Sequence, residues 1–133
     1  MNVLSTAAIM ASMEVFHKVD PRKLRMKSIN LTGYAEYLIN EIIIRTGITA
    51  EIITPTQPEE RGCQLSLSLP KHGHTIFEYL THHDIMVDWR EPNRSMSQPG
   101  VIRIAPVPLY NTFTDVFILA QKLEEAITQK NDP

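Results

Sequence analysis

What this chain has little of narrows its chemistry. It has one cysteine, Cys63, so no internal disulfide holds it together and a reducing, cytoplasmic setting is expected. It has one tryptophan and five glycines, and no glycine falls in a phosphate-cradling loop or a nucleophile elbow. No apolar run approaches the length that crosses a bilayer. The N-terminus lacks the basic start and apolar stretch of a signal peptide. Charge of one sign is also scarce: 13 Lys and Arg against 15 Asp and Glu leave a net charge of −2. With no basic run interleaved with aromatics, neither a nucleic acid nor a membrane is expected as a partner.

What is present suits one small domain. The 133 residues, 43% hydrophobic and 21% charged, are enough for a real core. Leu4, Ala8, Ile9, Ser12, Met13 and Phe16 recur at helical spacing over residues 3–18, and the first two or three residues are expected to fray. Asp20-Pro21 reads as an N-cap followed by a first helical proline. The helix it opens is expected to reach about Thr46, with Leu24, Ile29, Leu31, Ala35, Leu38, Ile42 and Ile43 on one apolar face. Gly47 reads as its C-terminal cap. Arg22, Lys23, Arg25 and Lys27 crowd its first turns against the helix dipole, which calls for compensation from outside this chain.

Residues 51–54 read as a short strand closed by Pro55 and Pro58. Cys63, Leu65, Leu67 and Leu69 alternate with Gln64, Ser66 and Ser68, the pattern of a strand buried on one side. A helix over 74–83 turns Ile76, Phe77 and Leu80 inward. Ile85, Val87 and Trp89 alternate as a third strand, and residues 90–99 form a polar loop bounded by prolines. A fourth strand carries Val101 to Ala105. The last helix runs from Thr112 to about Gln129, with Phe113, Val116, Phe117, Ala120, Leu123 and Ile127 inward and Thr112 and Asp115 spaced as a capping box. This order predicts an α+β fold: a small antiparallel or mixed four-stranded sheet with helices on one face.

One arginine stands out. In the stretch Gly100 to Asn111, Val101, Arg103 and Ala105 share one strand face, and Ile102 and Ile104 the other. A guanidinium keeps its charge and needs an acceptor if covered, yet nothing beside Arg103 in sequence is acidic. Its partner must come from elsewhere in the fold, from another chain, or from a ligand carboxylate or phosphate. A solvated or ion-paired structural arginine and an anion-binding arginine both remain open. Other candidates read as structural. His72, His74, His82 and His83 match no closed metal site, and Cys63 lies on an apolar strand face as an inert thiol. Glu59-Glu60-Arg61-Gly62 is either an ion-paired turn or part of a site wall. Lys18, Lys23, Lys27, Lys71, Lys122 and Lys130 all lie on polar helix faces or in loops, none in the apolar setting that makes an amine a Schiff-base former.

Four segments together are recognisable. Leu31-Thr32-Gly33-Tyr34-Ala35-Glu36-Tyr37-Leu38-Ile39, Ile53-Thr54-Pro55, Glu60-Arg61-Gly62-Cys63-Gln64-Leu65 and Ile102-Arg103-Ile104-Ala105-Pro106-Val107-Pro108-Leu109-Tyr110-Asn111 resemble the C-terminal part of kynureninases. The segment from Leu4 to Phe16 is similar as well, so the resemblance runs in order from about residue 3 to residue 127.

The resemblance implies the small C-terminal domain of a fold-type I pyridoxal-phosphate enzyme. Residues 1–19 would then be a helix leading in from an absent large domain, and 20–133 the small domain itself. The implied activity is hydrolysis of L-kynurenine or 3-hydroxykynurenine to anthranilate or 3-hydroxyanthranilate and L-alanine, in a homodimer. The large domain would bring the Schiff-base lysine and the groups that bind pyridoxal phosphate, so no catalytic or cofactor-binding residue is expected in this chain. One role carries over: Arg103 matches the arginine that binds the substrate α-carboxylate. Two alternatives stand beside this reading. One is a free-standing, non-catalytic binding or regulatory module derived from such a domain. The other is a related pyridoxal-phosphate enzyme such as a cysteine desulfurase, against which the Leu109-Tyr110-Asn111 ending argues.

Overall fold

Capping residues fix where the helices begin and end. The structure, a computed structural model, describes residues 3–91 and 98–131. Helix α1 is Val3–Phe16 and α2 is Pro21–Thr46. Asp20 sits in extended backbone before α2, and its Oδ1 accepts the Arg22 N–H at 2.9 Å. Gly47 ends α2 at φ 66°, a left-handed conformation that side chains resist, and donates its N–H to the Ile43 carbonyl at 3.0 Å. The other elements are β1 (Glu51–Ile52), a single 3-10 turn (Pro58–Glu60), β2 (Leu65–Leu69), α3 (Gly73–His82), β3 (Asp88–Arg90), β4 (Gly100–Ile104) and α4 (Phe113–Asn131). The expected capping box opens α4: the Thr112 N–H donates to Asp115 Oδ2 at 2.7 Å, and the Asp115 N–H to Thr112 Oγ1 at 3.2 Å.

The strands form one sheet in the order β1-β2-β4-β3, and every neighbouring pair is antiparallel. The α+β class therefore holds, in its antiparallel form. Leu65, Leu67 and Leu69 of β2 and Ile102 and Ile104 of β4 are buried on one face. They join Leu31, Ala35, Ile39 and Ile42 of α2, Ile76 and Leu80 of α3, and Val116, Leu123 and Ile127 of α4 in a single core. The opposite face carries the polar members of the alternation.

Several expected boundaries shift. β2 begins at Leu65, so Cys63 lies before it and is half-buried rather than a core thiol. The ladder stops there because Leu65 pairs with Ile104, and Pro106 soon ends the partner strand. β1 shrinks to two residues, although the Ile53 N–H still reaches the Ser66 carbonyl at 2.9 Å. Only Asp88–Arg90 of the third strand joins the ladder, yet burial alternates as expected, with Ile85, Val87 and Trp89 half-buried and Met86, Asp88 and Arg90 exposed. Phe113 and Phe117 are not inward: both are about half exposed, because α4 turns Val116, Leu119, Ala120 and Leu123 to the core. The polar loop expected over 90–99 lies, for residues 92–97, outside the described residues.

Two features lock the core's margins. The Trp89 ring packs over Gly100 and Gly73, where an added Cβ would lie 2.1 Å and 2.7 Å from its Cη2. Arg61 Nη2 reaches Glu36 Oε2 of α2 at 2.6 Å, with the two side chains only 6% and 17% exposed, and Arg61 Nη1 donates to the Pro55 carbonyl at 3.2 Å. The Glu59–Gly62 segment is thus an ion-paired turn. By contrast, α1 forms as a helix but buries none of its residues. Among the described residues, no helix is long and apolar enough to cross a membrane.

Candidate functional site: an arginine on the open sheet face

The alternation of β4 that buries Ile102 and Ile104 places Arg103 on the helix-free face. The register then supplies what the local sequence withholds. Arg103 lies directly opposite Ser66 of β2 and Asp88 of β3. Its Nη1 donates to Asp88 Oδ2 at 3.0 Å and its Nη2 to Gln64 Oε1 at 2.6 Å. Arg90 follows Asp88 by two residues and shares its face. Its Nε donates to the same Asp88 Oδ2 at 2.9 Å, and its Nη2 lies 2.9 Å from that oxygen. One carboxylate is thus shared by two arginines, and the trio carries a formal charge of +1. Arg103 remains 36% exposed, so its guanidinium is held in place and still reachable from solvent.

Beyond Arg103 the chain turns back on itself. The Val107 N–H donates to Asn111 Oδ1 at 2.9 Å, and the Asn111 N–H to the Val107 carbonyl at 2.8 Å. Asn111 therefore closes the turn that launches α4. Gln64, Asp88 and Arg90 were not singled out by the sequence. Each is a polar member of an alternating stretch, but only the strand register brings them to Arg103, and register is a long-range property.

The remaining candidates fall into structural roles. His82 and His83 bond through Nδ1 to the carbonyls of Glu78 and Tyr79 at 2.7 and 2.8 Å. The His74 ring meets Trp89 edge-on at 5.8 Å, and His72 takes φ 60° ahead of α3. Part of the crowded charge at the start of α2 is met within the chain: the Arg25 guanidinium donates to the Pro58 carbonyl, and Lys27 acts electrostatically on Asp115.

Fold and site together define an antiparallel α+β domain that presents a braced arginine on the bare face of its sheet. Residues 24–123 match the family model described as the kynureninase C-terminal domain. The chain is 42% identical over 127 residues to the kynureninase of Flavobacterium psychrophilum, covering 96% of this chain and 28% of that protein. The Monosiga brevicollis kynureninase is likewise 42% identical over 127 residues (94% and 26% covered), and that of Xanthomonas campestris 43% over 125 (92% and 27%). The chain belongs to the kynureninase family and corresponds to its C-terminal domain. It spans a little over a quarter of the length of the curated relatives it matches.

The lysines of this chain are mostly exposed or ion-paired. Lys18, Lys23 and Lys71 are exposed and Lys27 is half-buried. Lys122 Nζ donates to Glu125 Oε2 at 2.6 Å. That hydrogen bond raises its pKa, the opposite of what a nucleophilic amine needs. The side chain of Lys130 lies outside the described residues. Lys18, Lys23 and Lys27 line an open pocket with Asp20 and Leu109.

Proposed function

We propose that this chain is the substrate-holding C-terminal domain of a kynureninase, acting on L-kynurenine or 3-hydroxykynurenine. In this reading Arg103 binds the substrate α-carboxylate. The observation that carries it is the reachable guanidinium of Arg103, braced by Gln64 and Asp88 on the open sheet face. A planar fork of N–H donors suits the two oxygens of a carboxylate. Holding that group fixes Cα and the side chain beyond it, so a mobile substrate becomes an oriented one. Pyridoxal phosphate and the lysine that binds it would come from the preceding part of a longer polypeptide.

Helix α1 supports that arrangement. All of its residues are exposed, among them Leu4, Ile9, Met10, Met13 and Phe16. Glu14 is its only charged residue, and the family model begins after it, at residue 24. A helix apolar on all sides is normally enclosed by protein. The large domain of the same polypeptide is the body that would enclose it.

The test is kinetic. In the full-length kynureninase containing this chain, R103A should lower kcat/KM for kynurenine by on the order of 2–4 kcal/mol, roughly 30- to 1,000-fold, with the cofactor absorbance unchanged. Near-wild-type kinetics would remove Arg103 from the site. The intact native mass should be roughly three and a half times the 15.2 kDa of this chain. A species at 15.2 kDa would instead mark a free-standing module.

A further inference from the structure

The Asp88 carboxylate presents a problem for any ligand that binds Arg103. It already occupies one of the Arg103 N–H donors, and an incoming carboxylate must displace it or sit beside it. Displacing it from a lone arginine would leave two negative groups side by side, each short of a partner. This structure does not pair Asp88 with a lone arginine. Arg90 addresses the same Oδ2 with both Nε and Nη2 at 2.9 Å. Asp88 can therefore give up Arg103 and keep the charge-assisted hydrogen bond from Arg90 Nε, with Arg90 Nη2 beside the same oxygen.

Resting on the reading of Arg103 as the carboxylate anchor, we infer that Arg90 is a positioning residue for that site: it retains Asp88 when Arg103 passes to the substrate. Asp88 then serves as a stand-in acid that keeps the Arg103 guanidinium charge-paired before a ligand arrives. Gln64 is neutral and holds Nη2 at 2.6 Å, so it fixes the guanidinium from the side away from Asp88's strand without competing as a charge. The formal +1 of Arg90, Asp88 and Arg103 also matches one carboxylate. A single carboxylate group would neutralise the cluster, whereas a second one beside it would overcharge it.

The prediction has a definite sign. Without Arg90, Asp88 depends on Arg103 alone and competes harder with the substrate. In the full-length kynureninase containing this chain, R90A should raise KM for kynurenine about three- to tenfold, with a smaller change in kcat. D88N removes the competitor, so R90A made in the D88N background should leave KM where D88N alone sets it. Arg90 and Asp88 are both at least half exposed, so neither change threatens the core. An unchanged KM in R90A overturns the inference. So does an equal rise with and without D88N, since Arg90 would then act on the substrate directly or on the fold. R103A separates the two levels: if it leaves kcat/KM intact, the anchor reading itself falls, whatever Arg90 does.

Discussion

The contact between Glu36 and Arg61 offers the sharpest test of how this domain is held together. E36Q keeps the shape of the side chain and removes its charge. Arg61 then has only neutral acceptors, the new amide oxygen and the Pro55 carbonyl at 3.2 Å, and no counter-charge for a side chain 6% exposed. At 2.6 Å the gross attraction at an effective dielectric of 20 is about 6 kcal/mol, most of it offset by the cost of desolvating both groups. Removing one partner of a buried pair costs about 3–5 kcal/mol. Glu36 is 17% exposed, so water reaches the site, and about 3 kcal/mol is the expected loss. With a urea m-value of about 2 kcal/mol per M, the unfolding midpoint should fall by about 1.5 M. Replacing both partners with apolar residues of similar volume should recover most of the loss, because no buried charge is stranded. A loss below about 1 kcal/mol for E36Q would refute the reasoning and show that Arg61 finds water instead.

Two further tests address the glycines and the last helix. G100A places a Cβ 2.1 Å from Trp89 Cη2, so the ring must move, at about 1–3 kcal/mol. A lower melting temperature together with altered tryptophan emission is expected, and no change in either would mean that the ring does not rest there. Asp115 accepts the backbone and side-chain hydrogen bonds of Thr112, which hold its carboxyl below the ordinary aspartate range. A depressed folded pKa means that this stabilisation is complete above the ordinary value and fades as pH falls through the lowered one. D115N should flatten the acid limb of a stability–pH curve, and an acid limb identical to wild type would contradict the capping role.

What the sequence disclosed, and what it withheld, divides along the range of the interactions. Asp20, Gly47 and the Thr112–Asp115 pair were legible because caps act within four residues. The faces of β2 and β4 were legible because a strand alternates strictly. The partners of Arg103 were not, since Gln64 is 39 residues away and Asp88 is 15. Gly73 and Gly100 carried no sequence signal for their part in the fold, which is to make room for Trp89. Cys63 misled because its alternation with Leu65 continues past the point where β4 can pair. Phe113 and Phe117 misled because an apolar residue on a helix need not point at its own domain's core.

The five residues of β4 make placement of the binding group inseparable from folding. Ile102 and Ile104 are 0% and 2% exposed, and Arg103 sits between them. A slip of one residue in the β2–β4 register would drive the guanidinium into the apolar interior and expose both isoleucines. Any molecule that has formed its core has therefore already aimed Arg103 outward, and a misregistered one is eliminated by its own instability. The domain needs no separate check on whether its anchor is in place, because passing the folding test is that check.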